Sequence, residues 1–377
     1  MRVSVTTSIE AFGMAEWNRL FPSELEDWSY YHAVEKAGLA GFSWLYFGVR
    51  DGDKLIAAIP GFVTDYHLDT TVRGLLRTVA DAIQRVFPRF LRQRMIALGS
   101  PVSEVCYAGF DASLDDAARA QALGAVIDAL ATRAATEGAQ MIAIKDSESA
   151  LDALWRSAVA PHRLRRQPGL PTATLELPFA SVDEYLATLS HATRKDIRRK
   201  LKAGSEIRVE WRTNIDDIID DVMRLYASTR DRAEFDFEEL TPDYFRGVLA
   251  ECAPRGLCAT YWLDDRLIAF NLVLCDGDRM IDKFLGMDYA VAREHNLYFY
   301  TWMENVRYCI ANGILVYQSG QGLHLQKKRL GSQLLANWLW YRHRSRFIDR
   351  ILAAIEGVAR LDRGDAELAA LGAKESA

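Results

Sequence analysis

The chain has 377 residues, more than one hydrophobic core ordinarily serves, so two domains are expected. Half of the residues are apolar and 26% are charged, the balance of a globular chain rather than a disordered one. The formal net charge of −5 argues against a general nucleic-acid coat protein and leaves room for local basic patches.

Five cysteines, Cys106, Cys252, Cys258, Cys275 and Cys309, are scattered without a CxxC pair. Reduced thiols in a reducing compartment are therefore expected. No Cys/His spacing resembles a metal site, so none is expected. The opening MRVSVTTSIEAFG lacks the apolar segment of a signal peptide. No run approaches the roughly 20 apolar residues that span a bilayer. These features predict a cytoplasmic protein without a transmembrane segment.

In chain order, the first half opens with a short strand, RVSVTT, and an aromatic-rich helical stretch from Trp17 to about Ala37. WLYFGVRDGDKLIAAIPGFV reads as two strands around an Asp-Gly turn. Residues 114–137 carry apolar residues at helical spacing, Gly138 ends that helix, and AQMIAIKD reads as a buried strand. Between hairpin and helix lies an insert, residues 67–100. There Leu75, Leu76, Val79, Ile83, Val86 and Phe87 share a helical face among several arginines. Such a helix packs on its own domain, makes weak contact with an anionic membrane surface through residues 75–90, or covers an acyl chain.

The second half repeats the order. IRVEWR (207–212) alternates as a strand, and a helix follows over about 215–229. CATYWLDDRLIAFNLVLCDGDRMIDKFLG reads as three antiparallel strands, a helix runs from about Leu297 to Ala311, and ILVYQS is a last strand. DKLIAAIPGFV (53–63) and DRLIAFNLVLC (265–275) match in detail, which points to a tandem repeat with a cleft where two like domains meet.

Two stretches are strongly basic. In SVDEYLATLSHATRKDIRRKLKAG (181–204), Ser181 and Glu184 fit a capping box, and Leu186, Leu189, Thr193, Ile197 and Leu201 form a buried stripe. Arg194, Arg198 and Lys202 repeat at i, i+4 and i+8 beside Lys195 and Arg199. This is either a solvated face or a phosphate-binding one. In YQSGQGLHLQKKRLG (317–331), a strand leaves through Gly320 and Gly322 into a basic cluster. It is either a solvated loop or one that holds an anion.

LSHATRKDIRRKLKAG, DRLIAFNLVLCDGDRMIDKFLGMD and GILVYQSGQGLHLQKKRLG together resemble the Fem-like branch of the GCN5-related N-acetyltransferase (GNAT) superfamily, including proteins grouped with cellulose-biosynthesis acyltransferases. The resemblance covers residues 150–345 directly and the first half through the repeat. It implies an α/β (α+β) protein of two tandem GNAT-like domains, each a mixed, largely antiparallel sheet flanked by helices. The expected domains are 1–170, with the basic helical insert at 67–100, and 171–350, followed by a helical or frayed tail, 351–377.

By position, the resemblance places Lys327 on the family's lysine after the last strand, where an ammonium can neutralise a phosphate, a carboxylate or an oxyanion. Arg194, Arg198, Arg199 and Lys202 become candidates for donor phosphate. His324 and Asp282 are candidate catalytic groups, and Lys283, Tyr317, Gly320, Gly322 and Glu234 candidate cleft-lining residues. His324 is otherwise a surface residue, Lys328 and Arg329 read as solvated, and alternation admits only one of Asp282 and Lys283 to the cleft, with strand-edge salt bridging as the alternative for both. One departure stands out. The interval GMDYAVAREHNLYFY lacks the glycine loop that cradles pyrophosphate in acetyl-CoA-using members.

The expected activity is an acyltransferase that forms an amide by direct transfer from an activated donor to an amine, in cell-envelope or small-molecule biosynthesis. No tightly bound cofactor is expected. The co-substrate is acyl-CoA or aminoacyl-tRNA, which makes tRNA a candidate partner, and the acceptor is a small-molecule or glycopeptide amine. A non-catalytic binding module on the same scaffold is the alternative.

Overall fold

The computed structural model describes residues 1–67, 92–232 and 237–352. Most of the expected insert, the membrane-surface reading of residues 75–90, Glu234 and the tail beyond residue 352 lie outside the described residues.

The first half runs β1 (Arg2–Thr6), α1 (Met14–Asn18), α2 (Trp28–Lys36), β2 (Phe42–Asp51), β3 (Lys54–His67), β4 (Arg92–Leu98), β5 (Gly109–Phe110), α3 (Asp116–Thr136), β6 (Met141–Glu148), α4 (Asp152–Val159) and β7 (Arg165–Pro168). The second half runs β8 (Thr172–Glu176), α5 (Val182–Thr188), α6 (His191–Ala203), β9 (Arg208–Arg212), α7 (Ile219–Arg230), α8 (Pro242–Glu251), β10 (Gly256–Leu263), β11 (Arg266–Asp276) and β12 (Arg279–Met287). It ends with α9 (Tyr289–Ala292), α10 (Leu297–Ala311), β13 (Val316–Gln318), α11 (His324–Arg329), β14 (Gln333–Leu335) and β15 (Asn337–His343).

Local chemistry accounts for the boundaries. Asp115 caps α3 by accepting from the Ala118 N–H, and α10 ends at Asn312 before Gly313, which takes φ +70°. The β2–β3 hairpin turns at Asp51-Gly52, with Gly52 at φ +57°. The single helix expected over 181–204 is two helices. Leu189 is extended, and the Ser190 hydroxyl accepts from the Thr193 N–H to start α6 afresh. The Glu184 carboxylate accepts from the Ala180 N–H, one residue before the position a reciprocal capping box requires. The aromatic stretch from Trp17 to Ala37 is likewise interrupted, with α2 capped by Asp27.

Two sheets follow one plan. The first has the order β1-β2-β3-β4-β6-β15-β7, with β5 on β3, and the second has β9-β10-β11-β12-β13-β8-β14. All pairs are antiparallel except β4 with β6 and β12 with β13. In each sheet a hairpin, a third strand, a long helix and a parallel strand follow in turn. The tandem repeat is therefore a topological fact.

Two compact units result, and they exchange segments. Unit 1 comprises Met1–Pro22, Ala40–Leu170 and Ala336 onward, and unit 2 comprises Ser23–Leu39 and Pro171–Leu335. The chain passes from unit 1 to unit 2 after Leu170 and returns after Leu335. Helix α2 belongs to unit 2 and strand β15 to unit 1. The exchange is symmetrical at the sixth sheet position, where β15 fills the place in sheet 1 that β8 fills in sheet 2.

The unit 1 core packs Leu123, Val126, Ile127 and Leu130, at helical spacing on α3, against strand residues such as Phe47, Ile96 and Ile144. In unit 2, Val306 and Met303 of α10 meet Val273, Met280 and Tyr317. Each such side chain contributes about 1.5–3 kcal/mol of burial. Among the described residues no helix is long and apolar enough to cross a membrane.

Candidate functional site

In unit 2 the parallel strands β12 and β13 pair only from Arg279↔Val316 to Ile281↔Gln318. Strand β12 then continues through Met287, paired with β11 on its other edge. Residues 282–285, at the centre of the sheet, are all partly exposed. A central strand whose edge carries no neighbouring strand has room for an extended ligand, although the Met287 N–H on that edge already donates to the Thr229 hydroxyl (3.1 Å).

A chain of buried polar side chains begins where the strands part. The Asn271 amide donates to Asp282 Oδ1 (2.6 Å) and Tyr317 OH donates to Asp282 Oδ2 (2.8 Å). Asn305 Nδ2 donates to Asn271 Oδ1 (2.6 Å) and to Tyr317 OH (2.9 Å). Burial holds the Asp282 carboxyl above its ordinary value. The bonds from Asn271 and Tyr317, and the charges of Lys327 and Lys283, pull the other way. Burial also pushes the Tyr317 phenol well up, so it stays a hydrogen-bond donor.

Strict alternation would have sent Lys283 to the face opposite Asp282. Instead β12 bulges here. Leu272 opposes Phe284 and the next residue, Val273, opposes Asp282, so Lys283 is the extra residue. The two neighbours have different partners: Asp282 meets Asn271, Asn305 and Tyr317, whereas Lys283 is taken up in an ion pair. Lys283 pairs with Glu26, and with side-chain exposures of 2% and 1% the pair is almost dry. The Lys283 ammonium also lies 4.7 Å from the Tyr30 ring.

Glu26 belongs to Ser23–Leu39, which is fixed to unit 2 by further ion pairs. Glu24 meets Arg279 (2.9 Å) and Asp27 meets Arg255 (2.8 Å). Arg279 also reaches Gln318 Oε1 (3.3 Å), the last paired residue of β13. Burial raises the Glu24 carboxyl, with Arg279 opposing. Tyr30 OH meets Tyr244 OH at 3.1 Å. Sequence reasoning missed Glu24, Glu26, Asn271 and Asn305. A signal was available in PSELEDW, where acids alternate with apolar residues just before a capped helix.

The basic stretch after β13 forms helix α11 rather than an open loop. Lys327 is 4% exposed, and its ammonium donates to the carbonyls of Ser319 and Gly320 (2.9 Å for the latter). Gly320 takes φ +89°, the left-handed region in which glycine carries no steric cost. Gly322 is exposed, and an added Cβ there would meet nothing within 4 Å, so close approach does not demand a glycine. His324 Nε2 lies 3.1 Å from the Pro171 carbonyl and is a donor to it in the Nε2–H form. Lys328 and Arg329 are exposed.

Helix α6 divides its cations. Arg194 donates to the Ala187 and Leu189 carbonyls and so caps α5. Lys200 lies 3.2 Å from the centre of the Phe299 ring. Lys195, Arg198, Arg199 and Lys202 are exposed. Among the described residues, Asp196 pairs with Arg199 (2.9 Å) and Asp183 with Arg198 (3.7 Å). Thus Asp282 and Tyr317 share one polar cluster, within reach of the charges of Lys327 and of Lys283 in its own ion pair, whereas the exposed cations of α6 form a separate surface. No group of His, Cys, Asp and Glu residues among the described residues is arranged to hold a metal.

The counterpart in unit 1 is filled by its own chain. Strands β4 and β6 pair from Met95↔Met141 to Leu98↔Ile144 and then part. Residues 99–106 return along β6, with the Cys106 N–H donating to the Asp146 carbonyl (2.9 Å) and Lys145 Nζ donating to the Ser103 carbonyl (2.8 Å). Ser100, Val102, Ser103 and Cys106 are all buried. Unit 2 therefore holds the candidate site.

Residues 191–329, which contain this open strand pair, match the family described as Acetyltransferase (GNAT) domain. Over that stretch the chain is similar to a GNAT domain. The GNAT match ends at the last residue of α11, so it spans the polar cluster from Asn271 to Lys327. FemX shares the fold over 90% of this chain and 97% of its own (13% identity, TM-score 0.58). L-PGS from Bacillus licheniformis shares it over 88% and 95% (12%, 0.52). A tandem GNAT protein from the clavulanic acid biosynthesis pathway shares it over 91% and 98% (10%, 0.50). In sequence, the chain is 22% identical over 322 residues to two Mycobacterium tuberculosis proteins provisionally described as 8-amino-7-oxononanoate synthase 2. That match covers 82% of the chain and 41% of those relatives' length.

Proposed function

We propose that the chain is an amide-forming acyl- or aminoacyltransferase whose activated carbonyl lies along the open edge of β12. The observation that carries this reading is the parting of β12 from β13 at Ile281/Gln318, beside a carboxylate that burial has made more basic. Released peptide groups can orient an extended donor, and much of the acceleration is then proximity. Asp282 accepts the proton that the attacking amine must lose, a task suited to a carboxylate with a raised pKa. Tyr317 and Asn271 fix the two carboxylate oxygens, and Asn305 ties both together. Lys327 stabilises the charged form of Asp282 from the α11 side and closes the Ser319–Gly320 turn.

Direct transfer, without a covalent enzyme intermediate, fits the thiols. Burial pushes Cys252 and Cys258 up to about 12 and Cys275 up to about 11, so few thiolates exist near neutrality. The donor is read from two further features. Helix α9 occupies the interval between β12 and α10, where a glycine cradle for pyrophosphate would have to sit. The exposed Lys195, Arg198, Arg199 and Lys202 suit a nucleic-acid backbone. Both favour an aminoacyl group carried on tRNA over acyl-CoA. The acceptor is an amine on a small molecule or a glycopeptide.

The test is single-turnover deacylation of charged tRNA and of acyl-CoA with a panel of amines, using the wild-type chain and Asp282→Asn. Amine-dependent turnover that the variant loses supports the reading. Donor binding without turnover by any amine would make the chain a binding module on a GNAT scaffold.

A further inference from the structure

Unit 1 contains a cleft of about 1240 Å3 that has no part in the site above. It is walled by the C-terminal end of α3, the start of β6, the turn leading into β7 and the chain that leaves β15. It touches Met141 and Ile142, at the end of β6 where β4 is still paired, and so lies at the opposite end of that strand from the filled parting.

Seven arginines and one carboxylate, Asp349, line this cleft in a chain whose net charge is −5. Three of the arginines are held in place. Arg165 pairs with Asp349 (2.8 Å), Arg342 donates to the His162 carbonyl (2.7 Å), and Arg166 pairs with Asp152 (2.7 Å) while lying 3.3 Å from the centre of the Trp338 ring. The other four, Arg163, Arg344, Arg346 and Arg350, are exposed and form no ion pair among the described residues. His343, 4% exposed, supports the floor rather than adding charge. Its Nδ1 accepts from the Ser345 N–H (2.9 Å) and its Nε2 meets Gln93 Oε1 (3.1 Å).

Four unneutralised guanidinium groups around one concavity repel one another, and an anion with several oxygen faces removes that repulsion. Guanidinium forks match phosphate oxygens in pairs. The remaining wall is small and apolar, formed by Ala131, Ala134 and Ala139 with Leu164. We propose that this cleft binds a small polyphosphate-bearing molecule of the nucleoside polyphosphate class, with phosphates on Arg344, Arg346 and Arg350 and the nucleoside against the alanine wall. The concave, half-open shape, with its cations around one hollow, favours one small ligand over an RNA duplex, which needs a basic surface extended along its backbone.

The experiment is calorimetric titration of the full chain with inorganic pyrophosphate, adenosine triphosphate and a short RNA duplex in one low-salt buffer. Saturable binding of pyrophosphate and a tighter site for the nucleotide are expected. Arg344→Gln/Arg346→Gln should weaken both by about tenfold or more. Ala135→Trp, at an exposed position on the α3 wall, should exclude the nucleotide while leaving pyrophosphate bound, and serves if the double variant misfolds. Lys195→Gln/Arg199→Gln in unit 2 should change neither. No saturable polyphosphate binding, or equal affinity for it in the arginine double variant, would overturn the proposal, as would RNA binding that the Arg344→Gln/Arg346→Gln variant loses and the Lys195→Gln/Arg199→Gln variant keeps.

Discussion

The ammonium of Lys283 and the carboxylate of Glu26 form an ion pair 257 residues apart in sequence, with almost no water around either side chain. Glu26 Oε2 has no hydrogen-bond partner among the described residues, so Lys283 carries most of its compensation. Buried pairs of this kind add little net stability against an apolar replacement, but breaking one leaves an uncompensated charge. The pair therefore reads as a device that pins Ser23–Leu39 beside the parting of β12 and β13.

Lys283→Met is expected to destabilise unit 2 by about 3–5 kcal/mol, and the Glu26→Gln/Lys283→Met double variant to recover most of that loss. Urea unfolding followed by hydrogen exchange on β12 and α2 measures both. If the single and double variants were equally unstable, the two residues would not act as a pair.

Asp282→Asn keeps the shape of the polar chain but removes the proton acceptor. Turnover should fall by about 10²–10⁴, the usual worth of a positioned base, with little change in donor affinity. In the wild type the acid limb of kcat/KM should lie above the ordinary carboxylate range, because burial raises the Asp282 carboxyl. Activity then appears as pH rises through that raised value. An unshifted acid limb that persists in the variant would remove Asp282 from the proton transfer.

Much of the architecture was legible because it rests on local signals. The Asp51-Gly52 hairpin, the α10 helix ending at Asn312-Gly313 and the three-strand run from Cys258 to Gly286 are set by turn chemistry and periodicity. The exchange of α2 and β15 between the units was not legible, since nothing local in YYHAVEK or WLWYRH names a partner sheet. The site was half legible. Asp282, Tyr317 and Lys327 were reached through the resemblance, whereas Asn271 and Asn305 read as ordinary residues in apolar runs. The partner of Lys283 was not legible, because the bulge that makes it the extra residue is decided by the register of β11 against β12 and Glu26 lies 257 residues away.

Lys327→Met separates two roles. Its ammonium satisfies the Ser319 and Gly320 carbonyls, so the variant should lose about 1–3 kcal/mol of local stability. Its charge also lowers the Asp282 carboxyl, so removing it should move the acid limb further up. The loss in kcat/KM should be larger at low pH than at high pH. A uniform loss across pH would mean direct contact with the reacting carbonyl instead.

Gly286 sits where α7 crosses β12. An added Cβ there would lie 2.2 Å from the Phe270 ring and 2.9 Å from the Leu225 carbonyl carbon. The ring can turn only within the aromatic group that includes Phe245, and the backbone of α7 cannot move without shifting Val222 and Leu225, both fully buried. Gly286→Ala should therefore cost about 1–3 kcal/mol and blur the parting of the strands. Gly322→Ala, facing open space, is the control and should leave stability within about 0.5 kcal/mol.

His343 gives unit 1 an acid sensitivity of definite sign. Burial lowers its pKa below the ordinary 6.5, against the Ser345 backbone and the Asp349 charge, which raise it. The unfolded chain then binds the proton more readily than the folded one. The stability that neutral His343 contributes is present above about pH 6.5 and is lost as pH falls from there through the folded value. Protonation would force Nδ1 to give up the Ser345 N–H, loosening the turn that carries Arg344 and Arg346 into the arginine cleft. Hydrogen exchange on β6 and β15 between pH 7 and pH 5 should show faster opening at the acid end, and His343→Gln should flatten that dependence. Exchange that slows on acidification would mean that the imidazole is charged in the folded chain.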